Sequence, residues 1–224
     1  MALSEPAPRL WLVRHGQSEW NLARRIQGQA YQAGSLTPAG RAQAEDAAGQ
    51  LARQAPDAVA IVASDLARTA ETAAIIAGRL GLPLEFDSGL REQDLGLLEG
   101  TSSVAADRPA DAPGEAAFDV INQFYDEPYT LPPGGESVAE LHDRVHRTLR
   151  RLAAARPGAE LIVVTHGGPV RVAMAATLPS PGMPMARAAV GNASITRWPG
   201  PVQPQPAPPG SRQRGVVYNE MVAP

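Results

Sequence analysis

The sequence contains no cysteine, and all 20 of its basic residues are arginine, so lysine is absent as well. Without cysteine there is no thiolate nucleophile, disulfide, iron–sulfur cluster or thiolate zinc site. Without lysine there is no Schiff-base chemistry and no phosphate-binding loop ending in Lys-Ser/Thr. Excess positive charge is missing too: 20 cations face 23 anions, which gives no electrostatic footprint for nucleic acid. Residues 1–8 carry no basic leader, and the apolar run 10–13 is far shorter than a signal core or a membrane span, so a cytoplasmic protein without a membrane segment is expected.

What is present suits a globular domain. Hydrophobic residues make up 44% of the 224 and charged residues 19%, the composition of one folded unit over 1–224, or of two small ones. The chemistry open to it is carried by Ser, Thr, Asp, Glu, Arg, Tyr and four histidines, His15, His142, His146 and His166.

Apolar runs at 9–14, 58–63 and 161–165 read as buried strands, with shorter strands at 84–86, 194–198 and 216–218. Between them lie helical patterns. Thr37-Pro38 opens one as N-cap and first residue. Ser64-Asp65 caps a second, with Leu66, Ala70, Ala73, Ala77 and Leu80 as its buried stripe. Ser137 to Glu140 form a capping box for a third, which runs to about residue 155 and buries Val138, Leu141, Val145, Leu149 and Leu152. Pro169 opens a fourth. Residues 101–136, proline-rich around one short helix at 115–125, read as an insertion or lid, and residues 199–210 as a stiff proline-rich loop. Strands alternating with helices predict an α/β three-layer sandwich: a mainly parallel central sheet, helices on both faces, and the lid over the carboxyl ends of the strands.

In such sheets ligands bind beyond the carboxyl ends of the strands. Three of those ends carry Arg14-His15-Gly16, Ser64-Asp65 with Arg68, and Thr165-His166-Gly167. Two arginines and two histidines beside helix N-termini attract anions, and a phosphoryl group fits them best.

From these residues the chain resembles the histidine phosphatase superfamily, also called phosphoglycerate-mutase-like, over residues 10 to about 198. The run Leu12-Val13-Arg14-His15-Gly16-Gln17-Ser18-Glu19-Trp20-Asn21 is similar to the family signature. Four further blocks follow in the family's order: 64–73, Leu90-Arg91-Glu92 through Gly100, 133–137, and Thr165-His166-Gly167-Gly168. The resemblance implies that His15 is the nucleophile and carries a phosphohistidine. Arg14, Asn21, Gln27, Gly28, Arg68, His166 and the Gly167 amide would hold the phosphate oxygens, and Glu92 would donate the proton to the leaving group. It implies a single domain with no metal and no cofactor. The expected partner is a small phosphorylated metabolite, acted on by a monomer or a homodimer.

Several readings stay open at this level. Glu99 lies in the same irregular stretch as Glu92, and spacing alone does not choose between them. His142 and His146, four residues apart on one helix, have zinc-site spacing without a third ligand, and a surface pair is favoured. Phe118, Phe124, Tyr125 and Tyr129 read as a small core holding the insertion, in preference to a substrate wall. A mutase of this family grips a second anion with basic residues of the insertion. Here that segment has Arg108 as its one cation against Asp107, Asp111, Glu115, Asp119, Asp126, Glu127 and Glu136. Such a lid is expected to repel a bisphosphate, and with Gln27-Gly28-Gln29 in place of Thr-Gly-Trp this favours the phosphatase branch over a phosphoglycerate mutase. A non-catalytic phosphate-binding module is the remaining alternative.

Overall fold

The computed structural model describes residues 9–103, 119–185, 189–198 and 200. The expected strand at 216–218, the loop at 199–210 apart from Gly200, Phe118 and the acidic stretch 104–118 lie outside them. Among the described residues no helix is long and apolar enough to cross a membrane.

Five strands form one sheet: β1 (Arg9–Arg14), β2 (Ala58–Ala63), β3 (Leu84–Phe86), β4 (Glu160–Thr165) and β5 (Ile195–Trp198), in the order β3-β2-β4-β1-β5. All neighbours are parallel except β1 and β5, which are antiparallel. The helices are α1 (Glu19–Leu22), α2 (Pro38–Gln54), α3 (Ala67–Leu80), α4 (Asp119–Asp126), α5 (Val138–Ala155) and α6 (Gly167–Met174).

Side chains alternate across the strands with period two, and this alternation builds two apolar layers. Leu10, Leu12, Ala60, Val62, Leu161 and Val163 pack toward α5 and α6. Val13, Ile61, Ala63, Ile162 and Val164 pack toward α2 and α3. Each fully buried Val, Ile or Leu contributes about 1.5–3 kcal/mol, so the central strands anchor the expected three-layer sandwich from both sides.

The helix starts follow local chemistry. Thr37 Oγ1 accepts from the Gly40 amide at 3.0 Å with Pro38 at the first helical position; such a cap contributes about 1 kcal/mol. Ser137 and Glu140 close the expected capping box at 3.2 and 2.8 Å.

Two expectations about helices are corrected. Helix α3 is preceded by Leu66, which makes no side-chain cap, while Ser64 turns its hydroxyl to His166. Its buried positions are Arg68, Thr69, Thr72, Ala73 and Ile76, with Leu66 and Ala70 partly exposed. The first turns of α3 face the strand ends, where polar groups are needed, and only its second half meets the apolar layer. Helix α6 begins at Gly167, two residues before Pro169. Proline is tolerated there because the first-turn amides lack helical partners in any case.

Register then places the chemistry. Arg14 pairs with Thr165 across β1 and β4, so His15 and His166 leave the sheet side by side. Ala63 pairs with Val164 across β2 and β4, which sets Ser64 on the other flank of His166.

Candidate active site

His15 is 2% exposed, and its Nδ1 lies 2.7 Å from the Gly16 carbonyl. A carbonyl only accepts, so Nδ1 carries the proton and Nε2 keeps its lone pair. Arg68 Nε donates to that lone pair at 3.3 Å. Burial first, then the charges of Arg68 and Arg14, holds the His15 pKa well below the usual 6.5, against a smaller opposing effect of the Gly16 carbonyl. A neutral, nucleophilic imidazole is the result. Gly16 is required beside it: a Cβ there would sit 2.3 Å from the Gly40 carbonyl oxygen.

Two buried guanidinium groups face His15. Arg68 donates to the Gly28 carbonyl at 2.8 Å, and Arg14 to the Val190 carbonyl at 2.5 Å. Burial lowers both pKa values to about 10, which leaves both charged at neutral pH. His166 is fully buried, its ring edge-on to His15 with centroids 5.2 Å apart, and its Nε2 is 2.9 Å from Ser64 Oγ. Arg14 Nε and His166 Nδ1 are buried without a hydrogen-bond partner among the described residues. Leaving such a group unpaired costs about 1–3 kcal/mol, and an oxyanion accepts from donors of this kind.

The neutral residues are oriented by their neighbours. Asn21 Oδ1 accepts from the Ser18 amide at 3.1 Å and from Asn192 Nδ2 at 3.2 Å. Gln27 Oε1 accepts from Ser18 Oγ at 2.8 Å. Both side chains line the cavity, and with their oxygens engaged their NH₂ groups are the ends left for a ligand. Gly28 has φ +48, and a Cβ on it would lie 2.0 Å from Glu99 Oε1, so only glycine fits this turn.

The structure separates the two glutamates. Both oxygens of Glu92 accept from the Gly168 amide, at 3.1 and 3.2 Å, at the positive end of α6. Its carbonyl is held by Arg144 of α5 at 3.1 Å and by Gln29 at 3.0 Å, and the side chain lines the cavity. Glu99 accepts from the Gln29 and Leu95 amides at 2.7 and 3.1 Å, beneath Gly28 and outside the lining. Burial pushes its pKa up.

The cavity beside His15 encloses about 90 Å³. Its wall includes Arg14, His15, Asn21, Gln27, Gly28, Arg68, Glu92 and Gly167, and His166 packs edge-on against His15 at its side. The motif reading missed Arg24, Arg25 and Arg171, which also line it. Arg171 lies one helical turn past Gly167 on α6, a periodicity signal that could have found it; Asn192, in an irregular segment, gave none. Asp126, Glu127 and Glu136 do not line the cavity, and Glu136 is engaged by Arg144 at 2.7 Å. Among the described residues the wall is cationic; Asp107, Arg108, Asp111 and Glu115 of the acidic lid expected from composition lie outside the described residues.

Phe124 and Tyr125 belong to the apolar core, as expected, and Tyr125 also reaches the cavity wall; Tyr129 is half exposed and donates to the Pro179 carbonyl at 3.0 Å. His142 and His146 correct the surface-pair expectation. Both are buried, with rings 4.2 Å apart and Nε2 atoms 3.2 and 3.1 Å from the Ala175 carbonyl at the end of α6. No group of three metal-ligating side chains occurs among the described residues.

The lowered pKa values of His15 and His166 set a pH dependence of stability. Both rings stay neutral when folded and take up protons near pH 6.5 when unfolded. The unfolded state therefore binds more protons below pH 6.5, and stability falls as pH falls, by up to about 1.4 kcal/mol per pH unit for each ring. Urea unfolding between pH 7.5 and 5.5 is expected to show the midpoint dropping on the acid side of 6.5. A midpoint flat across that window would contradict the buried neutral state.

Residues 10–199 match the family model described as histidine phosphatase superfamily (branch 1). The "Probable phosphoglycerate mutase GpmB" of Salmonella paratyphi C (strain RKS4594) is 37% identical over 188 residues, covering 84% of this chain and 83% of its own. Among solved structures, a mycobacterial glucosyl-3-phosphoglycerate phosphatase in complex with inorganic phosphate is 31% identical with a TM-score of 0.67, over 84% of this chain and 88% of its own. YhfR of Bacillus stearothermophilus is 29% identical with a TM-score of 0.69, over 85% and 90%.

Proposed function

The chain belongs to the histidine phosphatase superfamily, branch 1, and from that premise we propose that it is a metal-independent phosphomonoesterase acting on a small phosphorylated metabolite in the cytoplasm. The observation that carries the reading is the unprotonated Nε2 of His15, held between two buried arginines at the N-terminus of α6 and across the cavity from Glu92. His15 Nε2 attacks phosphorus and the phosphorus–oxygen ester bond breaks. Glu92 gives its proton to the departing alkoxide, so the alcohol leaves neutral. A water then attacks the phosphohistidine, its proton passes to the Glu92 carboxylate, and the phosphorus–nitrogen bond breaks to release inorganic phosphate. Arg14, Arg68, His166, Asn21, Gln27 and the amides of Gly28 and Gly167 would stabilise the equatorial oxygens, supplying the charge compensation that a metal provides elsewhere.

Hydrolysis is favoured over mutase action by Gln27 on the cavity wall and by the described insertion residues at the wall, Ser103, Ile121 and Tyr125, none of them cationic. The name of the Salmonella relative keeps the mutase as the second reading. Phosphate release from a panel of monoesters in the presence of a chelator separates the two. Release at full rate with chelator is expected. Efficient interconversion of 3- and 2-phosphoglycerate, dependent on 2,3-bisphosphoglycerate, would install the mutase instead.

A further inference from the structure

Glu92 stands in a stretch without regular structure: residues 91–95 belong to no helix or strand. A general acid works only where its carboxyl is held close to the leaving oxygen, and a displacement of about 1 Å costs on the order of 10²-fold in rate. The precision has to come from outside the stretch. Its source is Arg144 of α5, a side chain that does not line the cavity.

A guanidinium carries five N–H groups in one plane, and Arg144 engages each of them. Nη1 donates to the Gly89 and Arg91 carbonyls at 3.0 and 2.9 Å, and Nη2 to the Glu92 carbonyl at 3.1 Å. Nε and the second Nη2 proton take the two oxygens of Glu136, at 2.8 and 2.7 Å. Three carbonyls drawn to one point repel one another, and a cation with several donors in one plane holds them together. The base of Arg144 is itself fixed, because Leu141 and Val145 of the same helix are buried in the apolar core. Glu136 is tied to the same stretch from the other side: its amide donates to the Asp94 carbonyl at 2.7 Å, and its carbonyl accepts from Gln93 Nε2 at 2.8 Å. This close approach accounts for Gly135, on which a Cβ would lie 2.4 Å from the Asp94 oxygen. The Glu92 backbone is thereby held from α5, and its carboxylate from the Gly168 amide of α6.

We propose that Arg144 and Glu136 form a positioning pair for the proton donor. Their fork fixes the backbone at 89–92 so that the Glu92 carboxyl reaches the leaving oxygen, and it serves the proton transfers, not the transfer of the phosphoryl group to His15. Lysine cannot fill this place, since its three donors radiate from one nitrogen and do not span three carbonyls and a carboxylate. The proposal rests on the phosphatase reading for the role of Glu92.

Two variants test it: Arg144→Lys, which keeps the charge, and Glu136→Gln, which leaves the three carbonyl bonds in place. With glycerol 3-phosphate, kcat is expected to fall about 10–100-fold in Arg144→Lys and about 3–10-fold in Glu136→Gln, with KM within about threefold of wild type. With p-nitrophenyl phosphate the burst should keep its rate within about threefold while the steady rate falls, because nitrophenolate leaves without a proton. In a Glu92→Gln chain, Arg144→Lys should lower alkyl ester turnover by less than about twofold more, since no proton remains to be positioned. A pair that only stabilises the fold would slow burst and steady phases alike, or add its full loss to that of Glu92→Gln, and either result would overturn the proposal. Unchanged turnover of both esters in both variants would do the same. Should Arg144→Lys not fold, Glu136→Gln decides by the same comparisons. Amide exchange gives a readout free of turnover: the Gly168 amide, in a first helical turn without helical partners, is expected to exchange at least about tenfold faster in both variants, with Val164 of β4 unchanged. Faster exchange at Gly168 in a protein whose wild type releases no phosphate would keep the pair as the device that fixes Glu92 and overturn the phosphatase reading. Phosphate release with exchange at Gly168 unaltered would overturn the pair and keep that reading.

Discussion

Replacing His15 with alanine is expected to remove phosphate release altogether within the sensitivity of a p-nitrophenyl phosphate assay. Loss of one stabilising donor typically costs ~10²–10³ in turnover, and loss of a covalent nucleophile costs far more, on the order of 10⁶ where it has been dissected. The geometry leaves no substitute. His166, the nearest imidazole, packs edge-on against His15 with its Nε2 committed to Ser64. Wild-type protein quenched during turnover should carry an acid-labile phosphoryl group on His15, and the His15→Ala protein should carry none. His15→Gln keeps a polar side chain of similar reach and should be equally inactive, so a folding defect confined to the alanine variant would not be mistaken for chemistry. Turnover within tenfold of wild type in a folded variant would remove His15 from the centre of the mechanism.

How much of this was legible in the chain differs between fold and site. Strands β1 and β2 end where their apolar runs end, because a buried parallel strand needs apolar side chains on both faces and the run stops when the chain leaves the sheet. Caps at Thr37 and Ser137 were equally readable, since a side chain bonding an amide three residues on is local chemistry. Helix α3 was misread because its first turns serve the site: Ser64 holds His166, Asp65 pairs with Arg91, and Arg68 goes inward to His15. A reading based on apolar periodicity cannot anticipate a helix that buries an arginine and two threonines.

The site motifs were legible as residues, and their order in the chain named the family, but their mutual placement came only from register. Nothing in the spacing chose Glu92 over Glu99. The choice is made by Arg144 and Gln29, which hold the Glu92 carbonyl, and by the Gly168 amide of α6, which takes its carboxylate, while the Gln29 and Leu95 amides take the Glu99 carboxylate. The cationic wall was hidden for the same reason. Arg24 and Arg171 lie far apart in sequence, and composition of the insertion says nothing about arginines that reach the cavity from α6 and from the end of α1.

Glu92→Gln should divide the two chemical steps. Glutamine keeps an oxygen for the Gly168 amide that both Glu92 oxygens now accept, so the loop is expected to stay in place while the ionisable proton is lost. An alkyl phosphate needs that proton on its leaving oxygen, and its turnover is expected to fall by ~10²–10⁴. A p-nitrophenolate anion departs without help, so transfer of the phosphoryl group to His15 should remain fast with p-nitrophenyl phosphate. The second step still needs Glu92 to take a proton from water. Stopped-flow measurement on this variant should therefore show a burst of about one p-nitrophenolate per site followed by a slow steady rate, and no burst with an alkyl ester. Equal slowing of burst and steady phases, with the same loss for both esters, would mean that Glu92 only positions α6, and the proton donor would have to be sought elsewhere on the cavity wall.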